Sequence, residues 1–220
     1  MKKPVVKYSQ SIYRIQKYIN YFVWATLIGA GIFSFFENRW TVLFVTSLVF
    51  LLTFLPSLFE KQYRIDIPVE FEILVVVFVY ASLFLGEVGN FYVRFWWWDI
   101  LLHGISAVGF GFVGFMILFI LYKRGKVQAR PMWIAIFSFC FAVAIGAVWE
   151  IFEFGMDSFL GMNMQKSGLV DTMWDLIVNG AGALLASVVG FLYLKGEDKV
   201  SFAKLMERFV RENPVLFKGK

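Results

Sequence analysis

Asp171, Asp175 and Asn179 recur every four residues, so two carboxylates and an amide share one face of a helix. Asp99 and His103 repeat that spacing, and Glu150, Glu153 and Asp157 follow at intervals of three and four. The histidine is the only one in the chain. Carboxylates gathered in one place cannot all stay ionised unless protons or a cation compensate them. Oxygen-rich ligation with one imidazole suits Mg²⁺, Mn²⁺ or Ca²⁺ better than a structural zinc ion. The expected metal ligands are Asp99, His103, Glu150, Glu153 and Asp175, with Asp171 and Asn179 completing the polar site. Glu87 and Asp157 are expected farther out, nearer the membrane surface. No Ser–His–acid order, Gly-rich phosphate loop or cysteine cluster stands out, and the Glu-x-x-His pairs of di-iron bundles are missing. No catalytic role is assigned to any one residue.

Each acid also has a plainer reading. Asp99 and Asp171 stand where helix N-caps belong, favoured by the positive end of the dipole. A lone histidine in a bundle is ordinarily a hydrogen-bonding residue. Capping does not reach Asp175 and Asn179, one and two turns deeper. Glu150 and Glu153 close an apolar run, where the dipole disfavours anions.

The elements that must position these residues are membrane-spanning helices. Sixty per cent of the 220 residues are hydrophobic and 27 are Phe, which leaves little for a soluble domain. Six stretches reach spanning length, 18–36, 41–59, 68–88, 99–122, 132–154 and 172–194. The fold expected is therefore an all-α polytopic helical bundle with six transmembrane helices. The run 19–36 lacks a convincing cleavage site and reads as a retained first span. Pro56 falls inside the second span, where a kink is expected.

Lys and Arg number five before the first span, two between spans two and three, four between four and five, and seven in the tail. The three remaining loops carry one each, Arg39, Arg94 and Lys166. This asymmetry puts both termini in the cytoplasm and the acidic helix ends on the outer side. It also accounts for the net charge of +5 without nucleic acid as a partner. The organisation expected is a basic cytoplasmic segment 1–17, spans one and two over 18–59, a core of spans three to six over 60–195 and a cytoplasmic amphipathic tail 196–220. Residues 200–212 have the pattern of an interfacial helix. Phe91–Trp98 reads as an aromatic belt.

Residues 98–115 match 174–191 at seven of 18 positions, including Trp98-Asp99 with Trp174-Asp175 and Gly104 with Gly180. Common ancestry of the hairpins 68–122 and 132–194 would set Asp99 opposite Asp175 and His103 beside Asn179.

The set L-G-E (85–87), W-W-D-I-L-L-H-G (97–104), W-E-I-F-E (149–153), D-T-M-W-D (171–175) and N-G-A-G (179–182) resembles the YjdF-like family of inner-membrane proteins. More distantly it is similar to VanZ-like proteins, with their Asp-x-x-x-His span and later Asp-x-x-x-Asn-Gly span. The resemblance covers about residues 65–195. It implies a multi-pass protein of the cytoplasmic membrane and cell-envelope biology, and it transfers no catalytic role. Three functions fit: an enzyme on a lipid- or polyprenyl-linked substrate, a proton- or cation-coupled transporter, and a non-catalytic membrane scaffold.

Overall fold

The computed structural model describes residues 10–196 and 201–217. Lys2, Lys3 and Lys7 of the basic segment, and 197–200 and 218–220 of the tail, lie outside the described residues. Among those described, the chain is helical apart from the connections between helices, and without strands. Six helical stretches are long and apolar enough to cross a membrane, Ser11–Phe36, Trp40–Tyr63, Val69–Val88, Trp98–Lys123, Pro131–Leu160 and Leu169–Lys195. The chain divides between Arg94 and Phe95 into two compact units.

In the first unit α1 (Gln10–Phe36) packs on α2 (Trp40–Leu52), with Val23, Leu27, Val49, Val76 and Tyr80 at the core. The second span breaks instead of kinking. α2 ends at Leu52, α3 (Leu55–Tyr63) begins two residues beyond Thr53, and Pro56 is its second residue. Proline has no N–H to give the preceding turn, so the ladder stops there and restarts. Trp24 Nε1 donates to Thr53 Oγ1 at 3.0 Å and secures the break. The third span changes winding partway. α4 (Val69–Val79) passes into a π-helix, Tyr80–Val88, which carries Glu87, and the short α5 (Phe91–Arg94) follows.

The second unit is a bundle of α6 (Trp98–Lys123), α7 (Pro131–Leu160) and α8 (Leu169–Lys195), each packed on the other two. Lipid offers no hydrophobic drive for helices to associate, so close fit of small residues must supply it. On α8 the buried face is Asp175, Asn179, Gly182, Ala183, Ala186, Ser187 and Gly190. Gly111 of α6 meets Ala183 and Ala186 of α8 and Ala142 of α7, and Gly190 lies against the Phe115 ring. Ser138 is fully buried on α7 and its hydroxyl donates to the Gly111 carbonyl at 2.7 Å.

Away from the acids the bundle is filled by rings. Phe115 and Phe119 are fully buried, and Met206 of α9 (Ser201–Glu212) packs against them beside Tyr193 and Phe202. The apolar face of α9 is thus covered by protein, where an interfacial helix would leave it to lipid. The four-residue α10 (Pro214–Phe217) adds Phe217 to the same cluster. A cavity of about 580 Å³ lined by Tyr122, Lys123, Gly125, Val127, Gln128, Ala129 and Arg130 lies at this end of α6, away from the carboxylates.

Candidate functional site

Two features of the helices differ from the sequence reading. α7 runs on to Leu160, so Glu150 lies ten residues inside its end, about 15 Å at the helical rise, and Glu153 lies seven residues inside. The dipole of the last turn therefore does not govern either acid; burial between helices does. Asp99 and Asp171 are not caps. α6 is preceded by Trp97 and α8 by Gly168 at the N-cap positions, neither making a side-chain cap bond. Both aspartates lie in first turns, where the dipole still favours them.

The three helices bring four side chains together around one imidazole. His103 Nδ1 lies 3.8 Å from Glu150 Oε1, and Nε2 lies 3.8 Å from Asp175 Oδ2 and 3.7 Å from Asp99 Oδ1. Asn179 Nδ2 approaches Nδ1 at 3.4 Å from the next turn of α8. His103, Glu150, Asp175 and Asn179 are all buried, at 7%, 4%, 2% and 2% exposure. Ligand atoms of His103, Glu150 and Asp175 fall within 4.8 Å of one another, and so do those of Asp99, Asp171 and Asp175.

Three carboxylate oxygens here are buried without a hydrogen-bond donor: Glu150 Oε1, Glu150 Oε2 and Asp175 Oδ2. The Thr172 hydroxyl approaches Glu150 but makes no bond of acceptable geometry to either oxygen. That hydroxyl accepts from Gln165 Nε2 at 2.7 Å. An unpaired polar group in the apolar interior costs about 1–3 kcal/mol, and a charged one more.

The remaining expected residues are arranged around this group. Glu153 is buried but falls outside both convergent trios, and Trp149 Nε1 donates to its Oε1 at 2.9 Å. Asp157 accepts from the backbone N–H groups of Met164 and Gln165 at 2.7 and 2.8 Å, pinning the turn between α7 and α8. Glu87 belongs to the first unit.

A profile of the family described as "Predicted membrane protein (DUF2238)" matches residues 19–196, most of the chain and the whole of α6, α7 and α8. The chain belongs to this family. The motifs at 85–87, 97–104, 149–153, 171–175 and 179–182 all lie within the matched residues. A DUF2238 chain of this kind is also similar to an "Uncharacterized protein" of Thermotoga maritima, 30% identical over 129 residues, which are 59% of this chain. The matched region spans 66% of that relative's length. No solved structure matches the DUF2238 chain.

The sequence marks Lys166 as one of the few cations on the acidic side, and the structure gives it a partner: from the turn held by Asp157 it places its ammonium on Asp99 Oδ2. One residue of the site escaped the sequence reading, Gly146: a methyl group there would stand 2.6 Å from Asn179 Nδ2 and 3.0 Å from its Cγ. Its lack of a side chain makes room for the amide beside His103. Nothing in the sequence distinguishes it from the other 17 glycines.

Proposed function

We propose that this DUF2238 protein binds a divalent cation, Mg²⁺, Mn²⁺ or Ca²⁺, and uses it on a lipid-linked substrate at the outer face of the cytoplasmic membrane. The observation that carries this reading is the set of donor-less buried oxygens on Glu150 and Asp175. They converge with the His103 ring within ligand-sharing distance. Two carboxylates so placed need positive charge, and His103 is the only ionisable donor among the three. His103, Glu150 and Asp175 would hold the ion; with its amide turned so that Oδ1 faces the ring, Asn179 would accept the Nδ1 proton and leave Nε2 to the ion, as around metal-bound histidines. A bound divalent ion supplies Lewis acidity toward a phosphoryl or carbonyl oxygen.

The sidedness of the site rests on the loop charges. By the positive-inside rule both termini are cytoplasmic and the mouth at Asp99 and Lys166 faces outward. Lys166 is 34% and Asp99 17% exposed at the side chain, which supports access from that end. Below Asn179 the bundle is closed by Ala183, Ala186, Phe115 and Phe119, all without exposure. That closure favours chemistry at a one-sided pocket over transport. The distant likeness to VanZ-like proteins agrees with a cell-envelope role.

The test is elemental analysis of the purified full chain, with thermal melts after chelation and after return of Mg²⁺, Mn²⁺ or Ca²⁺. The expected result is bound divalent metal and a rise in melting temperature on its return. A parent protein with no metal and no ion-dependent shift would leave a proton-sharing scaffold as the better account.

A further inference from the structure

Asp175 belongs to two ligand groups at once. With His103 and Glu150 it forms the buried trio, and with Asp99 and Asp171 a second one nearer the mouth. Its Oδ2 is buried and meets no donor. A carboxylate offers two oxygens and about four lone-pair directions, enough to ligate on both sides.

The outer trio already holds a cation of the chain's own. The Lys166 ammonium is bound to Asp99 Oδ2, and its charge also bears on Asp171. Lys166 is delivered by a turn that Asp157 fixes through two backbone N–H groups. The lysine is a built-in counterion for this position.

Charge then argues for more than one ion. Asp99, Glu150, Glu153, Asp171 and Asp175 carry five negative charges when ionised, and Lys166 returns one. One divalent ion with Lys166 in place leaves two of them uncompensated in a low-dielectric setting, and a second ion that displaces the ammonium leaves one. We infer that the site is a two-cation centre bridged by Asp175, in which Lys166 occupies the outer position until a divalent ion displaces it. This rests on the cation reading above and adds the outer position to it. Paired ions sharing a carboxylate are a recurring arrangement in metal-assisted phosphoryl chemistry.

The experiment uses the full chain in detergent, stripped with chelator and titrated with Mn²⁺, reading bound metal per chain and the electron paramagnetic resonance of the bound ions. Two Mn²⁺ per parent chain with a spin-coupled signal are expected. Asp171→Asn should keep one ion and lose the coupling. Lys166→Met removes the competing ammonium and should tighten the second ion by about tenfold, the effect of about 1.4 kcal/mol. One ion in the parent, unchanged in Asp171→Asn and in Lys166→Met, overturns the two-cation centre and leaves the inner site standing. No bound ion in the parent removes both readings together. Should Asp171→Asn fail to fold, the Lys166→Met titration decides alone: unchanged affinity for every ion overturns the role given to Lys166.

Discussion

Asn179 Nδ2 stands 3.4 Å from His103 Nδ1 across the interface of α6 and α8. The amide fixes how the only imidazole of the chain is turned toward Glu150 on one edge and toward Asp99 and Asp175 on the other. Replacing it with Leu keeps the branched shape and removes the polar partner. Asn179→Leu is expected to weaken divalent-ion binding by about 10–100-fold, the usual effect of losing such a support. Calorimetric titration reads this directly, and unchanged affinity would show that the ring is held by other means.

Gly146 should act through the same amide. Gly146→Ala sets a methyl group 2.6 Å from Asn179 Nδ2, which the side chain can relieve only by swinging away from His103. Ion affinity should fall as in Asn179→Leu. The double variant should be no weaker than the worse single one, since neighbours acting through one contact are not additive. Additive losses would mean that Gly146 disturbs the site by another route.

Glu150→Gln and Asp175→Asn are expected to reverse sign with the metal. In chelator each removes an uncompensated buried charge and should raise stability by about 1–2 kcal/mol. With Mg²⁺ or Mn²⁺ each should lose the stabilising shift seen in the parent. Asp157→Asn should retain that shift, because Asp157 bonds the turn at Met164 and Gln165 and belongs to neither trio. Paired thermal melts in the two conditions separate these outcomes.

Gly180 and Gly182, two residues apart on α8, give a control on packing. A methyl group on Gly182 would lie 2.8 Å from the Gly104 carbonyl oxygen and 2.9 Å from Ala107 Cβ, whereas Gly180 has no such neighbour within 4 Å. Backbone cannot step aside as a side-chain tip does. Gly182→Ala should cost about 1–3 kcal/mol, and Gly180→Ala should be neutral or gain up to about 1 kcal/mol from helix propensity. Equal melting temperatures for the two would refute the close approach of α6 and α8 at this level.

Orientation has its own check. In a Cys140→Ala background, single cysteines beside Arg39, Arg94 and Lys166 should react with an impermeant reagent added to intact cells, and a cysteine in the tail should not. The opposite pattern would move the site to the cytoplasmic face.

The buried face of α8 was legible because its signal is local: Asp175, Asn179, Ala183, Ala186 and Gly190 follow the helical period. Six apolar stretches were legible by length alone. The end of α7 was set too early, at 154 instead of Leu160, because Glu150, Glu153 and Asp157 break the apolar run while the helix continues through them. The π-helix at Tyr80–Val88 left no mark in residue spacing. Lys166 and Asp99 are 67 residues apart, and pairing at that range comes from how α6, α7 and α8 assemble, not from any motif. The pattern of α9 showed an apolar face but not that Phe115, Phe119 and Tyr193 would cover it.

The aromatic filling beneath the acids has an electrical consequence. Asp175 lies six residues into α8, about 9 Å along its axis, and Asn179 about 15 Å. Beyond them Phe115, Phe119, Tyr193 and Met206 pack into one apolar cluster. An ion bound as proposed would enter and leave by the mouth at Asp99. It would traverse only part of the transmembrane field, and the work a potential can do on a charge scales with the share it crosses, about 2.3 kcal/mol per charge per 100 mV for the whole. Loading such a site would produce a brief displacement of charge and no steady current, so occupancy would follow the ion concentration of one compartment, with a dependence on voltage set by the share of the field that the ion crosses.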